Sequence, residues 1–146
     1  MNVTFFGHRK TPENVKPILR RILTDLIEQD SADIFYIGNQ GDFDFMARQV
    51  LKELKEIYSH ITYTVVLAYM PSIKDKYYDF NYMNTIYPEG LENTPKKYAV
   101  SKRNYWLIEN SDIVVTYVSN RIGGAAKFKE ISEKKGKKVI NIVINE

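Results

Sequence analysis

The sequence predicts an α/β protein with a doubly wound, mainly parallel sheet of about five strands flanked by helices. Short apolar runs rich in β-branched residues alternate along the chain with longer segments whose apolar residues recur at helical spacing. Most of the connections between these segments are only a few residues long. Such a regular alternation is typical of a parallel sheet with helices on both of its faces.

The first half of the chain supplies three of the predicted strands and two of the helices. Thr11 and Pro12 are residue types that cap and begin a helix, so the first helix is expected to start there and to run to about Gln29. The second helix has its apolar residues on one face. The predicted elements, in order, are strand 3–6, helix 12–29, strand 33–37, helix 43–58 and strand 61–68.

The last third of the chain is the most informative part. Asp112 introduces the apolar run Ile113–Val118, which is rich in β-branched residues and too short for a helix. Gly123 and Gly124 then open a helix at the carboxyl end of that strand, where backbone N–H groups and the helix dipole favour an anion. The predicted elements here are helix 99–110, strand 113–118, helix 124–135 and strand 138–144.

Residues 70–98 form an irregular, tyrosine-rich insert without clear periodicity. A structureless stretch that long is unusual inside a compact domain and is usually functional. It leaves the carboxyl end of the third strand, so it is expected to lie over or beside the ligand edge. Two interpretations stay open: a lid in which Tyr77, Tyr78 or Tyr82 stacks on a base, or an oligomer contact rich in tyrosine.

Length and composition bound the class of protein. A chain of 146 residues is expected to be a single domain spanning 1–146. The absence of cysteine excludes disulfides and thiolate metal sites, and with two histidines no metal site is expected. No signal peptide and no apolar run of the roughly 20 residues that span a membrane are found, so no membrane association and a cytoplasmic location are expected. No P-loop or GxGxxG motif is present, and no cofactor is expected.

The candidate ligand-binding residues follow the predicted strands at their carboxyl ends. Arg9 has the chemistry to clamp a phosphate, whereas His8 either donates to a phosphate, serves as an acid or only hydrogen-bonds its loop. Asp42 is expected to cap the second helix, and Asp44 either caps it or accepts from a ribose hydroxyl. The predicted ligand-binding set is Gly7, His8, Arg9, Gly38, Asn39, Gly41, Asp44, Arg103, Gly123, Gly124 and Ala125.

Three segments together resemble the SLOG superfamily, which includes the DNA-processing Smf/DprA proteins and the Lonely guy enzymes. They are FFGHRKTP, YIGNQGDFDFMARQVL, and RNYWLIENSDIVVTYV followed by GGAAKFKEISEKKGKKVINI. The similarity is greatest to small stand-alone bacterial and phage members. It implies a Rossmann-like fold, a nucleotide-derived ligand and a homo-oligomer, with the insert or the helix of Trp106 at the contact, although core packing is the better interpretation of Trp106 itself.

The resemblance also implies roles for two residues. Arg103 and Glu130 match positions of the catalytic Arg and Glu of Lonely guy enzymes, and Arg103 would bind phosphate. Glu130 is equally compatible with a solvent-exposed ion pair to Lys127 or Lys134. In the glycine-rich loop, Ile122, Ala126 and Lys127 stand where those enzymes have Pro, Gly and Thr. The sequence therefore leaves open whether the protein is an enzyme and favours binding without turnover.

Three functions follow, in order of preference. The first is a sponge or sensor for a phosphate-containing nucleotide-derived molecule, such as an ADP-ribose-type signal in phage defence or counter-defence. The alternative is a nucleoside-monophosphate glycosidase of the Lonely guy type. The third is single-stranded DNA binding. Nucleic acid is not expected as a partner, because the net charge is only +3 and no basic stripe with interleaved aromatics emerges.

Overall fold

The structure is a computed structural model that describes residues 1–69 and 85–144. Strands and helices alternate along most of this chain, as the sequence predicts. In order, the elements are β1 (Asn2–Gly7), α1 (Val15–Gln29), β2 (Ile34–Ile37), α2 (Gly41–Ile57), β3 (Thr62–Val66), β4 (Thr85–Ile86), a short 3₁₀ helix (Leu91–Asn93), α3 (Lys96–Glu109), β5 (Ile113–Tyr117), α4 (Gly124–Lys134) and β6 (Lys138–Asn141).

The strands form one sheet in the order β4-β3-β2-β1-β5-β6, and each neighbouring pair is parallel. The predicted Rossmann-like α/β class is therefore confirmed. Within the described residues the sheet has six strands, whereas the sequence predicts about five. The additional strand, β4, lies in the segment predicted to be irregular, where Thr85 and Ile86 pair with Val65 and Val66. A two-residue strand has too few residues for its alternation to show in a sequence.

The direction of strand addition reverses at β1. The chain proceeds outward through β2, β3 and β4, and then returns to the opposite side of β1 with β5 and β6. Residues Val3 to Gly7 of β1 lie in register with Ile113 to Tyr117 of β5. In open α/β sheets a ligand binds in the crevice at such a reversal, beyond the carboxyl ends of the strands. The crevice between β1 and β5 is therefore the expected ligand-binding position.

Alternating residues of β1 face two separate apolar cores. Val3 and Phe5 belong to the larger core, with buried residues of α1 and α2. Phe6 belongs to the smaller core, where its ring stacks on that of Phe128 in α4 with centroids 5.6 Å apart. Both faces of β1 are thus fixed by packing, which holds the loop that follows the strand at a defined position.

The helix starts differ from the predicted ones for local reasons. Helix α1 begins at Val15, after a turn, and Thr11 is not its N-cap. Instead, the Thr11 hydroxyl donates to the His8 carbonyl at 2.9 Å, and its N–H donates to the Asp42 carboxylate at 3.2 Å. Asp42, expected to cap α2, therefore joins the loop after β1 to α2. Helix α3 begins at Lys96, directly after Pro95, three residues earlier than predicted.

Within residues 1–69 and 85–144, no helix has the length and apolar character that crossing a membrane requires. The described part of the chain thus has no helical membrane span. The tyrosines proposed to stack on a base, Tyr77, Tyr78 and Tyr82, lie outside the described residues.

Candidate functional site

A cavity of about 340 Å³ lies at the carboxyl ends of β1 and β5. It opens on the side of the sheet that α3 and α4 cover. The loop after β1, the start of α2, one face of α3 and the start of α4 each contribute to its wall. The described lining residues are Phe5, Phe6, Gly7, His8, Arg9, Gln40, Asp44, Val100, Arg103, Asn104, Leu107, Gly123, Gly124 and Ala125.

Arg103 is the main polar group at the base of this cavity. Its side chain is only 2% exposed and is held by three acceptors. Nη1 donates to Asn39 Oδ1 at 3.1 Å and to the Val66 carbonyl at 2.9 Å, while Nε donates to Asn104 Oδ1 at 2.8 Å. Nη2 has no acceptor among the described residues, and the residue lines the cavity. The guanidinium is therefore fixed in place with one nitrogen left for a ligand.

Asp44 lies beside Arg103 without a direct ion pair. Asp44 Oδ2 accepts a hydrogen bond from the Gln40 N–H at 3.0 Å, which caps the first turn of α2. The residue as a whole is partly exposed, but this oxygen is enclosed by the backbone at Gly38 and Gln40. Burial raises the pKa of the Asp44 carboxyl from 3.8 to about 6, against the opposing effects of the Arg103 charge and the Gln40 N–H. Burial likewise lowers the pKa of Arg103, which the charge on Asp44 partly offsets.

Folding stability should therefore depend on the ionisation of Asp44. Because the folded state holds this proton more tightly than the unfolded state, the stabilisation is complete below pH 3.8 and is lost as the pH rises through about 6. The raised pKa corresponds to a loss of about 3 kcal/mol over that window. We expect urea unfolding of the wild type, relative to Asp44→Asn, to show this decline between pH 4 and 7.

The Asn variant keeps an amide oxygen that can accept from Gln40, so it serves as the reference without the titrating group. Other carboxylates change the free energy of unfolding of both proteins equally at each pH, so they cancel in the difference. A wild-type-minus-variant difference that does not vary between pH 4 and 7 would show that the Asp44 carboxyl is not buried in solution.

The start of α4 forms the opposite wall. Gly123, the residue before the helix, has φ +108° and no side chain caps the first turn. A methyl group added at Gly123 or Gly124 would meet no atom within 4 Å, so this end of the helix is open. The strand before it is fastened by Asn141, whose Oδ1 accepts from the Thr116 hydroxyl at 2.8 Å and from the Val118 N–H at 2.9 Å. The free N–H groups of the first turn are thus presented from a fixed point.

The loops after β1 and β5 are joined by His8. The ring Nε2 of His8 accepts a hydrogen bond from the Ser119 N–H at 2.8 Å, and the backbone N–H of His8 donates to the Tyr117 carbonyl at 3.3 Å. This geometry favours the interpretation in which His8 orders its loop. Arg9 follows it, is exposed and lines the cavity, and its side chain has no hydrogen bond or ion pair among the described residues. Arg9 is therefore available to an anionic ligand.

The predicted ligand-binding residues divide into two groups. Those that line the cavity are Gly7, His8, Arg9, Asp44, Arg103, Gly123, Gly124 and Ala125. Gly38, Asn39 and Gly41 lie behind it and position other groups. Asn39 holds Arg103, and Gly41 (φ +88°) lets the loop after β1 approach so closely that an added methyl would lie 2.8 Å from Arg9 Cα. Their roles as direct ligand contacts stay predictions that this geometry does not favour.

Sequence reasoning missed the contribution of α3. Val100, Asn104 and Leu107 line the cavity together with Arg103, at the spacing of one helix face. That spacing could have identified them once Arg103 was placed in the site. Gln40 was missed as well. It lies between the predicted residues Asn39 and Gly41, and its side chain donates to the Tyr69 hydroxyl at 3.3 Å.

Glu130, proposed as a catalytic carboxylate, does not line the cavity. It is 67% exposed on α4 and forms an ion pair with Lys134 at 3.2 Å. This is the geometry of the alternative interpretation, a solvent-exposed ion pair. Among the described residues that line the cavity, Asp44 is the only carboxylate. In the part of the chain that the structure describes, no group of three or more His, Asp or Glu side chains comes close enough to hold a metal ion.

The sequence matches no protein-family model and no curated protein. Its fold is similar to that of DNA processing protein A from Helicobacter pylori, with a TM-score of 0.64 and 13% sequence identity. The similarity covers 99% of this chain and 66% of that chain, so the chain spans about two thirds of the solved protein. At this identity the similarity shows the fold alone, and membership of the SLOG superfamily stays a prediction.

The expectation that nucleic acid is not a partner is wrong, because a solved protein with this fold is described by the way it binds single-stranded DNA. The expectation rested on the small net charge. Net charge averages over the whole surface, whereas phosphates respond to local charge. Exposed basic side chains lie in or beside the loops at the mouth of the cavity: Arg9, Lys10, Arg121 and Lys127.

Proposed function

We propose that this domain binds single-stranded nucleic acid by placing a backbone phosphate in the crevice between β1 and β5. The observation on which the proposal rests is the pairing of two anion-binding features in one cavity. The open first turn of α4 lies on one wall, and Arg103, with Nη2 left without an acceptor among the described residues, lies on another. The similarity in fold to DNA processing protein A supports single-stranded nucleic acid as the phosphate-bearing partner.

The chemistry of a phosphodiester fits both features. Its oxygens accept hydrogen bonds from backbone N–H groups at a helix start, where the helix dipole also favours negative charge. A guanidinium held by its other nitrogens loses little side-chain entropy when it binds a phosphate oxygen. The exposed cations around the mouth, Arg9 and Arg121 among them, attract the neighbouring phosphates of a strand.

Replacing Arg9 with Ala should weaken oligonucleotide binding and reduce its salt dependence. Each phosphate neutralised on a single strand contributes roughly 0.7 to the slope of log affinity against log salt, so the slope should fall by about that amount. Folding stability should not change, because Arg9 is exposed and makes no side-chain hydrogen bond or ion pair within the described residues. Fluorescence anisotropy with a labelled oligo-dT from 50 to about 300 mM salt measures both quantities.

Arg21→Ala is the matched control. Arg21 is an exposed arginine on α1 without an ion pair among the described residues, and it lies away from the cavity. Its removal changes the net charge by the same amount. If both variants lower the affinity and the slope equally, binding depends on overall charge rather than on this crevice, and the proposed site is wrong.

A second candidate function is capture of a free nucleotide-derived molecule, as a sponge or sensor. The observation that favours it is the enclosed inner end of the cavity, where Arg103 and Asp44 lie far from the opening. Competition separates the two candidates. A mononucleotide or ADP-ribose that displaces oligo-dT at equal or lower concentration supports the small ligand, whereas displacement only by longer strands supports nucleic acid. A free base released during incubation would identify a glycosidase.

A further inference from the structure

A second cavity lies on the other side of the loop that follows β5. Its volume is about 550 Å³, and it lies between the start of α1 and the ends of β5 and β6. Pro12, Ile142 and Ile144 contribute apolar walls, and Tyr117, Asn14 and Ser119 contribute polar groups. The lining residues of this second cavity are all different from those of the first.

Tyr117 is the informative residue of this cavity. It is 8% exposed, and its ring lies against those of Phe43 and His8, with centroids 6.4 and 5.4 Å away. Its hydroxyl nevertheless has no hydrogen-bond partner among the described residues, although the residue lines the cavity. The packed ring holds this hydroxyl in place, and the hydroxyl is not itself buried, so its donor and acceptor capacity is open to a ligand in the cavity. The cavity therefore contains an anchored polar group that lacks a partner.

Two further polar side chains in the wall, both of exposed residues, also make no side-chain hydrogen bond within the described residues. Asn14 precedes α1 but does not cap it, and its amide makes no hydrogen bond within the described residues. The Ser119 hydroxyl makes none either, although the Ser119 N–H is bonded to His8. Apolar walls with a few unpaired polar groups are typical of sites for small, flat, partly polar ligands.

Resting on the proposed function, we propose that this second cavity binds a nucleobase of the strand whose phosphate occupies the first cavity. The two cavities share the loop after β5, and the Ser119–His8 hydrogen bond lies between them. A sugar joins each base of a strand to its phosphate, so a strand that crosses this loop would place a phosphate on one side and a base on the other. A base matches the walls, since its faces are apolar and its edge offers donors and acceptors to the Tyr117 hydroxyl and the Asn14 amide.

The test compares oligo-dT with an abasic strand of the same length and charge. Wild-type protein should bind oligo-dT roughly ten-fold or more tightly than the abasic strand, as expected for one bound base. Tyr117→Phe and Asn14→Ala should each weaken oligo-dT binding roughly three- to ten-fold through loss of one hydrogen bond. Neither should change binding of the abasic strand. Tyr117→Phe keeps the ring, so it should fold normally.

Matched controls are Tyr105→Phe and Asn93→Ala, which change exposed residues far from this cavity along the chain and outside its wall. They should leave both affinities unchanged. Equal wild-type affinity for the two strands would overturn the base site and leave the phosphate site standing, whereas no binding of either strand would overturn the proposed function itself. Self-association of the free protein that Tyr117→Phe abolishes would show that a second copy of the chain occupies the cavity, and would also overturn the proposal.

Discussion

Replacing Arg103 with Met is expected to weaken nucleic-acid binding and to destabilise the fold by about 2–4 kcal/mol. The side chain is almost fully buried, and its loss leaves the Asn39 and Asn104 amide oxygens and the Val66 carbonyl without their shared donor. The carboxyl of Asp44 also loses the positive charge that lowers its pKa, so it becomes protonated at higher pH than in the wild type. Met preserves most of the apolar volume, which limits the cost to the polar network.

Urea unfolding and oligo-dT titration measure the two effects. Affinity should fall roughly ten- to hundred-fold with the loss of a charge-assisted contact. Arg103→Lys separates charge from geometry, since it keeps the charge but lacks the planar fork that contacts several acceptors at once. We expect the Lys variant to fold and to bind weakly. Arg21→Met is the control for both measurements. Wild-type affinity in a folded Arg103→Met protein would exclude Arg103 from the site.

Among the glycines of the described part, replacing Gly7 with Ala should have the largest steric effect. A methyl group at Gly7 would overlap the ring of Phe43, which is fully buried in the larger core. Neither the end of β1 nor the start of α2 can move away freely, because the Asp42 N–H donates to the Arg9 carbonyl at 2.8 Å. Overpacking of this kind typically costs about 1–3 kcal/mol, occasionally more.

Thermal and urea unfolding of Gly7→Ala should show this loss. Gly124→Ala is the matched control for stability, because a methyl group there meets nothing within 4 Å and the backbone is helical. Alanine is also the better helix former. A Gly7→Ala protein as stable as the wild type would mean that Phe43 has an alternative position, and that the loop after β1 is less constrained than the packing implies.

The fold was predictable because its signals are local. Helices α1 and α2 and the longer strands are marked by their own apolar spacing, and the short connections favour a parallel sheet. The two-residue strand β4 carries no such signal. Helix starts were less predictable: Thr11 has the residue type of a cap, but its hydroxyl and N–H are both used to hold the loop after β1. A tertiary contact overrode the local preference.

The site was predictable in position but not in the role of each residue. Gly38 and Asn39 lie against Arg103 because α3 packs on β2, where Trp106 contacts Tyr36, and no local pattern shows such packing. Glu130 shows the opposite case. It lies two residues from both Phe128 and Ser132, the buried residues of α4, which is roughly 200° around the helix. The position of Phe128 in the sequence thus already indicated that Glu130 faces solvent.

Because the crevice lies between β1 and β5, it can form only late in the synthesis of the chain. The two strands are in register, yet Val3 and its partner Ile113 are separated by most of the chain. While a ribosome makes the protein from its N-terminus, β1 can pair with β2 early, but its other edge has no neighbour until β5 has emerged. The crevice between them does not exist before that moment. A nascent chain therefore acquires this crevice only when its last strands join the sheet.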